Sequence, residues 1–342
     1  MPESVSDSPS ENRSGAEAYP AERRLFDDLP LSRSGIDRDH LTRVAPDALD
    51  ILRADAATRV VVLSRGRALL QPDTATPRLA LLPGAAVPEA DLTVYLGRVT
   101  EGADRADDLP AGTPVLAAVL APHVTDLVDV DPERWGDLRL IGADLDALDA
   151  GLFTEALAIA NWHDSHGFSP RTGEPTVPGL AGWVRYPAGH VDEASGHHIF
   201  PRTDPAVIVG VVDHEDRLLL GANRRWGGAF FSVLAGFVEP GESFEATVQR
   251  EVFEEAGLRV TDPVYLGSQP WPFPASVMVG FRARLAADSP TEPVPDGVEI
   301  AELRWVTRDE MRDGARAFGI PSRSSIARSI IEDWFGGPLD AP

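Results

Sequence analysis

Four acidic residues, Glu242, Glu251, Glu254 and Glu255, surround a turn and one short helical run in GFVEPGESFEATVQREVFEEAGL, residues 236–258. Glu251 and Glu255 are four apart with Glu254 between them, so in a helix their carboxylates leave neighbouring positions on one face. Like charges at that spacing cost on the order of a few tenths of a kcal/mol per pair. A hard divalent cation offsets that cost, because Mg²⁺ prefers carboxylate oxygens, waters and substrate phosphates. Arg250, just before the cluster, can orient one carboxylate through paired N–H donors. The chemistry predicted is metal-assisted attack on a phosphate-bearing substrate.

Such a cluster needs elements that hold it. Phe244, Val248 and Val252 recur every four residues and predict a helix with its back to a core. Gly257 stands where a left-handed C-cap is wanted. Gly236, Pro240 and Gly241 predict a strand and a tight loop before the helix. A solvated acidic face has no need of these fixed glycines or of Arg250.

The segment resembles the Nudix box, G-x5-E-x7-R-E-U-x-E-E-x-G-U with U aliphatic. Gly236, Glu242, Arg250, Glu251, Val252, Glu254, Glu255, Gly257 and Leu258 fill every specified position.

At 342 residues the chain is long enough for two domains with sizeable cores. The net charge of −23 argues against gripping long nucleic acid through its phosphates, and against docking on an anionic membrane. The absence of cysteine excludes disulfides and thiolate metal sites. No basic region followed by an apolar run opens the chain, and no apolar stretch approaches a spanning helix, so the expected location is the cytoplasm.

Residues 1–24, rich in Ser, Glu, Pro and Gly, predict a disordered tail. Residues 25–164 hold short apolar runs (RVVVLSRGRALLQ, RLALLPG, LTVYLGRV, PVLAAVLAP) and then a helical pattern from Leu138 to Trp162, which predicts a mostly β N-terminal domain ending in helix. Residues 165–203 read as a loop-like linker. Residues 204–336 predict a hairpin around Asp213–Asp216, further strands, the acidic helix and a closing helix SSIARSIIEDWF. The fold class is therefore α+β, with a C-terminal α/β/α sandwich of the kind the Nudix resemblance implies.

The segment most informative about substrate is SQPWPFPAS, Ser268–Ser276. Alternating prolines hold the backbone extended, so Trp271 and Phe273 are presented with little ordering entropy left to lose, ready to stack on a base. Taken alone, a proline-rich loop with its aromatics tucked into the core fits equally well. The segment looks like the SQPWPFPxS signature of the NADH pyrophosphatase branch of Nudix hydrolases. GVEIAELRWVTRDEM, SIARSIIEDW, FPRTDPAVI and ALAIANWHDSHGFSPRTG resemble further segments of that branch, covering roughly residues 135–335.

The resemblance implies metal-dependent hydrolysis of the pyrophosphate of NADH or NAD⁺ to nicotinamide mononucleotide and AMP. It implies Mg²⁺ or Mn²⁺ on Glu251, Glu255, Glu254, the distal Glu299 and the backbone carbonyl of Ala235. Either Glu254 or Glu299 would take the proton from the attacking water, while Glu242 braces the loop. Gln269, Pro270, Trp271, Pro272, Phe273, Pro274, Ala275 and Ser276 would bind substrate, with Phe200 as an aromatic lining residue and Ala327 as a backbone contact. The same site implies, as an alternative substrate, the NAD cap of RNA 5′ ends. Other nucleoside diphosphate substrates such as ADP-ribose, and a non-catalytic NAD-sensing module, fit less well. A homodimer is implied too, with no duplex nucleic acid or membrane as partner.

One departure is plain. Where many members carry a zinc ribbon of two C-x2-C pairs, this chain has Ser169 and Thr172, then Asp192 and Ser195. Five histidines (His163, His166, His190, His197, His198) cluster there, but without thiolates no structural zinc is expected and the segment reads as a degenerate ribbon held by packing.

Overall fold

The computed structural model describes residues 29–103, 109–125, 131–189, 196–224 and 230–339. The 1–24 tail, Asp192, Ser195 and His190 lie outside the described residues.

The first domain contains, in chain order, β1 (Ile36–Asp37), α1 (Ala48–Ala54), β2 (Arg59–Ser64), β3 (Arg67–Leu69), β4 (Leu81–Pro83), β5 (Leu92–Val99), β6 (Pro114–Val119), α2 (Pro122–Thr125), β7 (Trp135–Gly136), α3 (Leu138–Ile141) and α4 (Ala147–Ser165). Its strands form one mixed sheet in the order β1-β5-β6-β2-β3-β7, with β4 against β2. The run RVVVLS is buried almost throughout because both faces of β2 are covered. Val61 and Leu63 pack in the core that holds Leu152 and Phe153 of α4, and Val60 and Val62 in the core that holds Ala48 and Leu52 of α1.

The linker read as loop-like contains an antiparallel hairpin, β8 (Thr176–Gly179) and β9 (Val184–Pro187). Hydrogen bonds organise it. Ser169 Oγ accepts from the N–H of Arg171 and of Thr172 at 3.3 Å each, closing a turn at one of the positions where the family carries a thiolate. Buried Arg185 donates to Thr176 Oγ1 at 2.6 Å, to the Thr176 carbonyl at 2.8 Å and to His163 Nδ1 at 2.6 Å. With Nδ1 accepting, the proton sits on Nε2, which donates to the Gly182 carbonyl at 2.8 Å.

This arrangement needs a neutral imidazole. Burial, reinforced by Arg185, pushes His163 down to about 4 from 6.5. Between those values the unfolded chain takes up a proton that the folded chain refuses, so the contribution of His163 to stability is full above pH 6.5 and is lost as pH falls toward 4. Thermal unfolding should therefore fall more steeply across this window in the wild type than in His163→Gln. Identical profiles would rule this network out as the cause.

The second domain comprises β10 (Asp204–Val212), β11 (Leu218–Asn223), β12 (Leu234–Phe237), α5 (Phe244–Ala256), β13 (Val260–Trp271), β14 (Ser276–Leu285), β15 (Ile300–Val306), α6 (Arg308–Phe318) and α7 (Ile326–Phe335). The sheet order is β13-β14-β10-β11-β15, with β12 on β10; β10 and β14 run parallel from Asp204↔Ser276 to Val212↔Arg284. Alternation along β10 divides its side chains between two layers. Val207, Val209 and Val211 pack with Val248, Val252 and Ala256 of α5; Ile208 and Val212 pack with Ile326, Ile330 and Ile331 of α7. This is the α/β/α sandwich expected.

Phe244 departs from expectation: it is exposed. A four-residue repeat drifts about 40° per step around a 3.6-residue turn. The inner face therefore runs through Val248, Val252 and Ala256, and Phe244, at the first helical position, turns out to solvent.

Candidate active site

Strand β12 delivers the chain past Gly236 into a loop, and α5 returns its first two turns beside that strand. Ser243 caps α5, its side chain accepting from the N–H of Ala246, and Gly257 ends it at φ +66°. Arg250 ties the two together. Its Nε and Nη2 donate to Glu242 at 2.7 and 2.8 Å, Nη2 also to the Phe237 carbonyl at 2.9 Å, and Nη1 to Glu251 and Glu254 at 2.9 Å each. These bonds hold the Glu242 carboxyl down to about 2, the Arg250 side chain being the largest cause. Glu242 is a brace for the loop.

Glu251 lies directly over the backbone of Gly236. A Cβ at Gly236 would fall 1.9 Å from its carboxyl carbon, so only glycine leaves room. Burial raises Glu251 above the usual carboxylate range despite Arg250. Glu255 is the most perturbed acid of the cluster. It is 7% exposed, and its Oε2 is buried with no hydrogen-bond partner. Burial first, then the charges of Glu251, Glu299, Asp296 and Glu254, push it up to about 8. The charge of Glu299, in the loop before β15, thus reaches Glu255. Asp296, which motif reasoning missed, sets that loop by accepting from the N–H groups of Val298, Glu299 and Ile300. The Asp–Gly pair at 296–297 was the available turn signal.

A cavity of about 290 Å³ opens beside Glu255 and brings together Ala235, Glu255, Trp271 and Ala327, with Phe230, Met278 and Arg139 among its other walls. The remaining substrate-segment residues go elsewhere. Pro272, Phe273 and Pro274 line a neighbouring cleft with Arg65, Arg67 and Asn161, and Arg139 lines both, its guanidinium 4.0 Å over the Phe273 ring. Gln269 is fully buried, accepting from the Leu31 N–H and donating to the Ser324 carbonyl, so it joins the first domain to the turn before α7. The Ala275 carbonyl accepts from Asp204 N–H, and buried Ser276 pairs in register with Asp204. Pro270 lines a third cavity. Phe200 is 63% exposed, edge-on to His198.

The donor set suits a hard divalent cation. An unpartnered buried carboxylate oxygen among like charges is the group such an ion would satisfy, and the bare backbone at Gly236 leaves a cradle for Glu251. Among the described residues the acids are not drawn into a preformed cluster; Arg250 holds Glu251 and Glu254.

A family profile described as NUDIX domain matches residues 202–327, and one described as NADH pyrophosphatase-like rudimentary NUDIX domain matches residues 57–162. The NAD-capped RNA hydrolase NudC of Mycobacterium bovis (strain BCG / Pasteur 1173P2) is 42% identical over 327 residues, covering 89% of this chain and 94% of that protein. The chain belongs to the NADH pyrophosphatase branch of the Nudix hydrolases. Human NAD-capped RNA hydrolase NUDT12 is 37% identical over 196 residues, covering 54% of this chain and 42% of that protein. A solved NUDIX hydrolase from Nitrosomonas europaea is 25% identical, with a TM-score of 0.33 over 41% of this chain and 95% of that one. In this Nudix hydrolase the first domain is thus a rudimentary counterpart of the second, and it lacks the ribbon cysteines because the chain has none.

Proposed function

We propose that the enzyme hydrolyses the pyrophosphate of NADH or NAD⁺ to nicotinamide mononucleotide and AMP, with Mg²⁺ or Mn²⁺ held by Glu251, Glu255, Glu254, Glu299 and the Ala235 carbonyl. The observation that carries this is the shared cavity: Glu255 and Ala235 stand at one wall, while Trp271 offers a ring and Ala327 a helix start at others. When bound, the cation neutralises phosphate oxygens and lowers the pKa of a water. Arg250 keeps Glu251 and Glu254 directed at the site, Trp271 stacks on the base, and Gln269 holds the Ser324–Ala327 turn in place. Water oxygen bonds to one phosphorus, the bridging P–O bond breaks, and Glu254 or Glu299 takes the water's proton.

Removal of an NAD cap from RNA is the second reading. The names of the relatives support it, and so does the cleft beside the catalytic cavity, where Arg65, Arg67 and Arg139 outnumber Asp137 and Asp164 and offer cations to a short phosphate chain in a chain of net charge −23. We also infer a homodimer and a cytoplasmic location. No helix among the described residues is long and apolar enough to cross a membrane.

One Mg²⁺ assay over NADH, NAD-capped RNA, ADP-ribose and diadenosine phosphates tests the reading. NADH and the capped RNA should turn over fastest, and Trp271→Ala should raise KM for NADH about tenfold, as loss of one base–aromatic stack implies. Faster hydrolysis of ADP-ribose than of either would sink it.

A further inference from the structure

A cavity of about 250 Å³, separate from the catalytic one, lies between the first domain, the linker and β13. Its walls include Arg33 and Arg38, Thr154 and Glu155 of α4, Arg202 and Pro270. Gly151 lets one wall close up: a Cβ there would come within 2.9 Å of the Arg33 carbonyl, so the bare helix face lets the Arg33–Ser34 segment lie against α4. The size is close to that of the cavity beside Glu255, and both fall just below the usual range of small-ligand sites.

Two of its polar side chains are more than nine-tenths buried. Thr154 is 5% exposed and its Oγ1 has no hydrogen-bond partner. Glu155 is 7% exposed and its Oε1 pairs with Arg38 Nη1 at 2.5 Å. Buried polar atoms without partners are rare in native proteins and have a reason. The charges around the space are unequal. Arg33, Arg38 and Arg202 face it, with Arg43 beside Glu155, against Glu155 itself and the Asp204 carboxylate that pairs with Arg202 at 2.5 Å. The charges of Asp146 and Asp144 also act on Arg33. Arg33 spends Nε and Nη2 on the Pro30 and Gly142 carbonyls, which fixes its fork in place.

Converging guanidiniums recognise a phosphate, and a buried carboxylate with a hydroxyl beside it recognises vicinal sugar hydroxyls. We propose that this cavity is a second, non-catalytic site for a phosphorylated ribose compound, with a nucleoside monophosphate as its occupant. The phosphate meets Arg38 and Arg202; the ribose hydroxyls donate to Glu155 and pair with Thr154 Oγ1. Hydrolysis as proposed above releases such a compound, and the inference rests on that reading only for the choice of AMP as probe.

Calorimetric titration of AMP into the full chain tests it, with ribose 5-phosphate and inorganic phosphate as separate arms. The wild type should bind one equivalent at the catalytic cavity and a further one here. Arg202→Ala should weaken only the second, by about tenfold or more, as loss of a charge-assisted contact implies. Thr154→Val should raise the Tm of the unliganded protein by removing an unpaired hydroxyl, yet shrink the Tm rise produced by AMP; a merely structural threonine would give the first effect without the second. Trp271→Ala should leave the second equivalent intact, and ribose 5-phosphate should displace AMP from it where inorganic phosphate does not. A single AMP equivalent that survives Arg202→Ala and Thr154→Val unchanged overturns the proposal. NADH hydrolysis by Arg202→Ala and Thr154→Val is read alongside and should stay at the wild-type rate. A wild type that binds only one equivalent yet hydrolyses NADH condemns this site alone, whereas absence of hydrolysis with both equivalents present condemns the proposed reaction alone.

Discussion

Glu255→Gln is expected to lower kcat by about two orders of magnitude or more while making the metal-free protein more stable. The loss follows from removing a principal charge from the centre that neutralises the substrate's phosphates. The gain follows from the carboxylate's surroundings. Glu255 is buried beside Glu251 and near Glu299, one oxygen has no partner, and its pKa rises to about 8 from 4.5. Because the folded value is raised, the stability contributed by Glu255 is full below pH 4.5 and is lost as pH rises through about 8. A neutral glutamine escapes that loss. In EDTA the variant's Tm should therefore exceed the wild type's by several degrees near pH 8 and converge with it toward pH 4.5. Near-wild-type turnover would remove Glu255 from the metal set. A Tm difference independent of pH would mean that the charge is not what strains the site.

Gly236→Ala separates fold from function in the other direction. The added methyl would meet the Glu251 carboxyl carbon at 1.9 Å, an impossible approach, but the atom in its way is the end of a flexible side chain. Gly236 does not adopt a positive φ, so alanine brings no backbone strain. Glu251 swings away, losing its 2.9 Å bond to Arg250 and its place at the cation, while β12 and α5 keep their packing. Kinetics should show kcat reduced about a hundredfold, the scale of an ångström misplacement, with Tm changed little. Turnover within a factor of two of wild type would show that Glu251 is dispensable where it stands. Unfolding of the variant would show that the methyl meets something less yielding than a side-chain terminus.

These two residues show how far local pattern reaches. Glu251, Glu254, Glu255 and Arg250 lie within a turn and a half of helix, where the chain's own geometry sets their separation, so spacing sufficed to join them. Gly236 and Glu242 are one loop away, and the motif caught them as well. The same reasoning failed for Phe244, because a four-residue repeat drifts around the helix. It was also silent on Arg139, more than a hundred residues before Phe273, whose ring it covers at 4.0 Å. Asp296 was passed over because its carboxylate acts on the backbone of the next few residues and leaves no motif of its own.

The SQPWPFPAS segment marks the boundary most clearly. Its sequence announces stiff, extended backbone with aromatic rings; β13 runs to Trp271, but residues 272–275 form the turn that closes onto β14, so Phe273 stands in a turn and not on an extended segment. Which way each side chain faces was decided elsewhere. Gln269 turns inward to bind Leu31 and Ser324, Trp271 lines the cavity beside Glu255, Phe273 lies under Arg139, and Pro270 walls the third cavity. Asn161 of α4 fixes the far end by donating to the Pro272 and Pro274 carbonyls.

The sequence by itself therefore determined the family, the α/β/α core and the acid-bearing helix, since all three rest on residues near one another in the chain or on the period of its apolar positions. Only the folded chain shows which signature residues reach the cavity beside Glu255, that Glu255 is desolvated, that Arg185 of the thiol-free linker pairs with His163 of α4, and that a further cationic cavity exists. Each of those depends on burial and contact between segments distant in sequence, and local spacing carries no information about either.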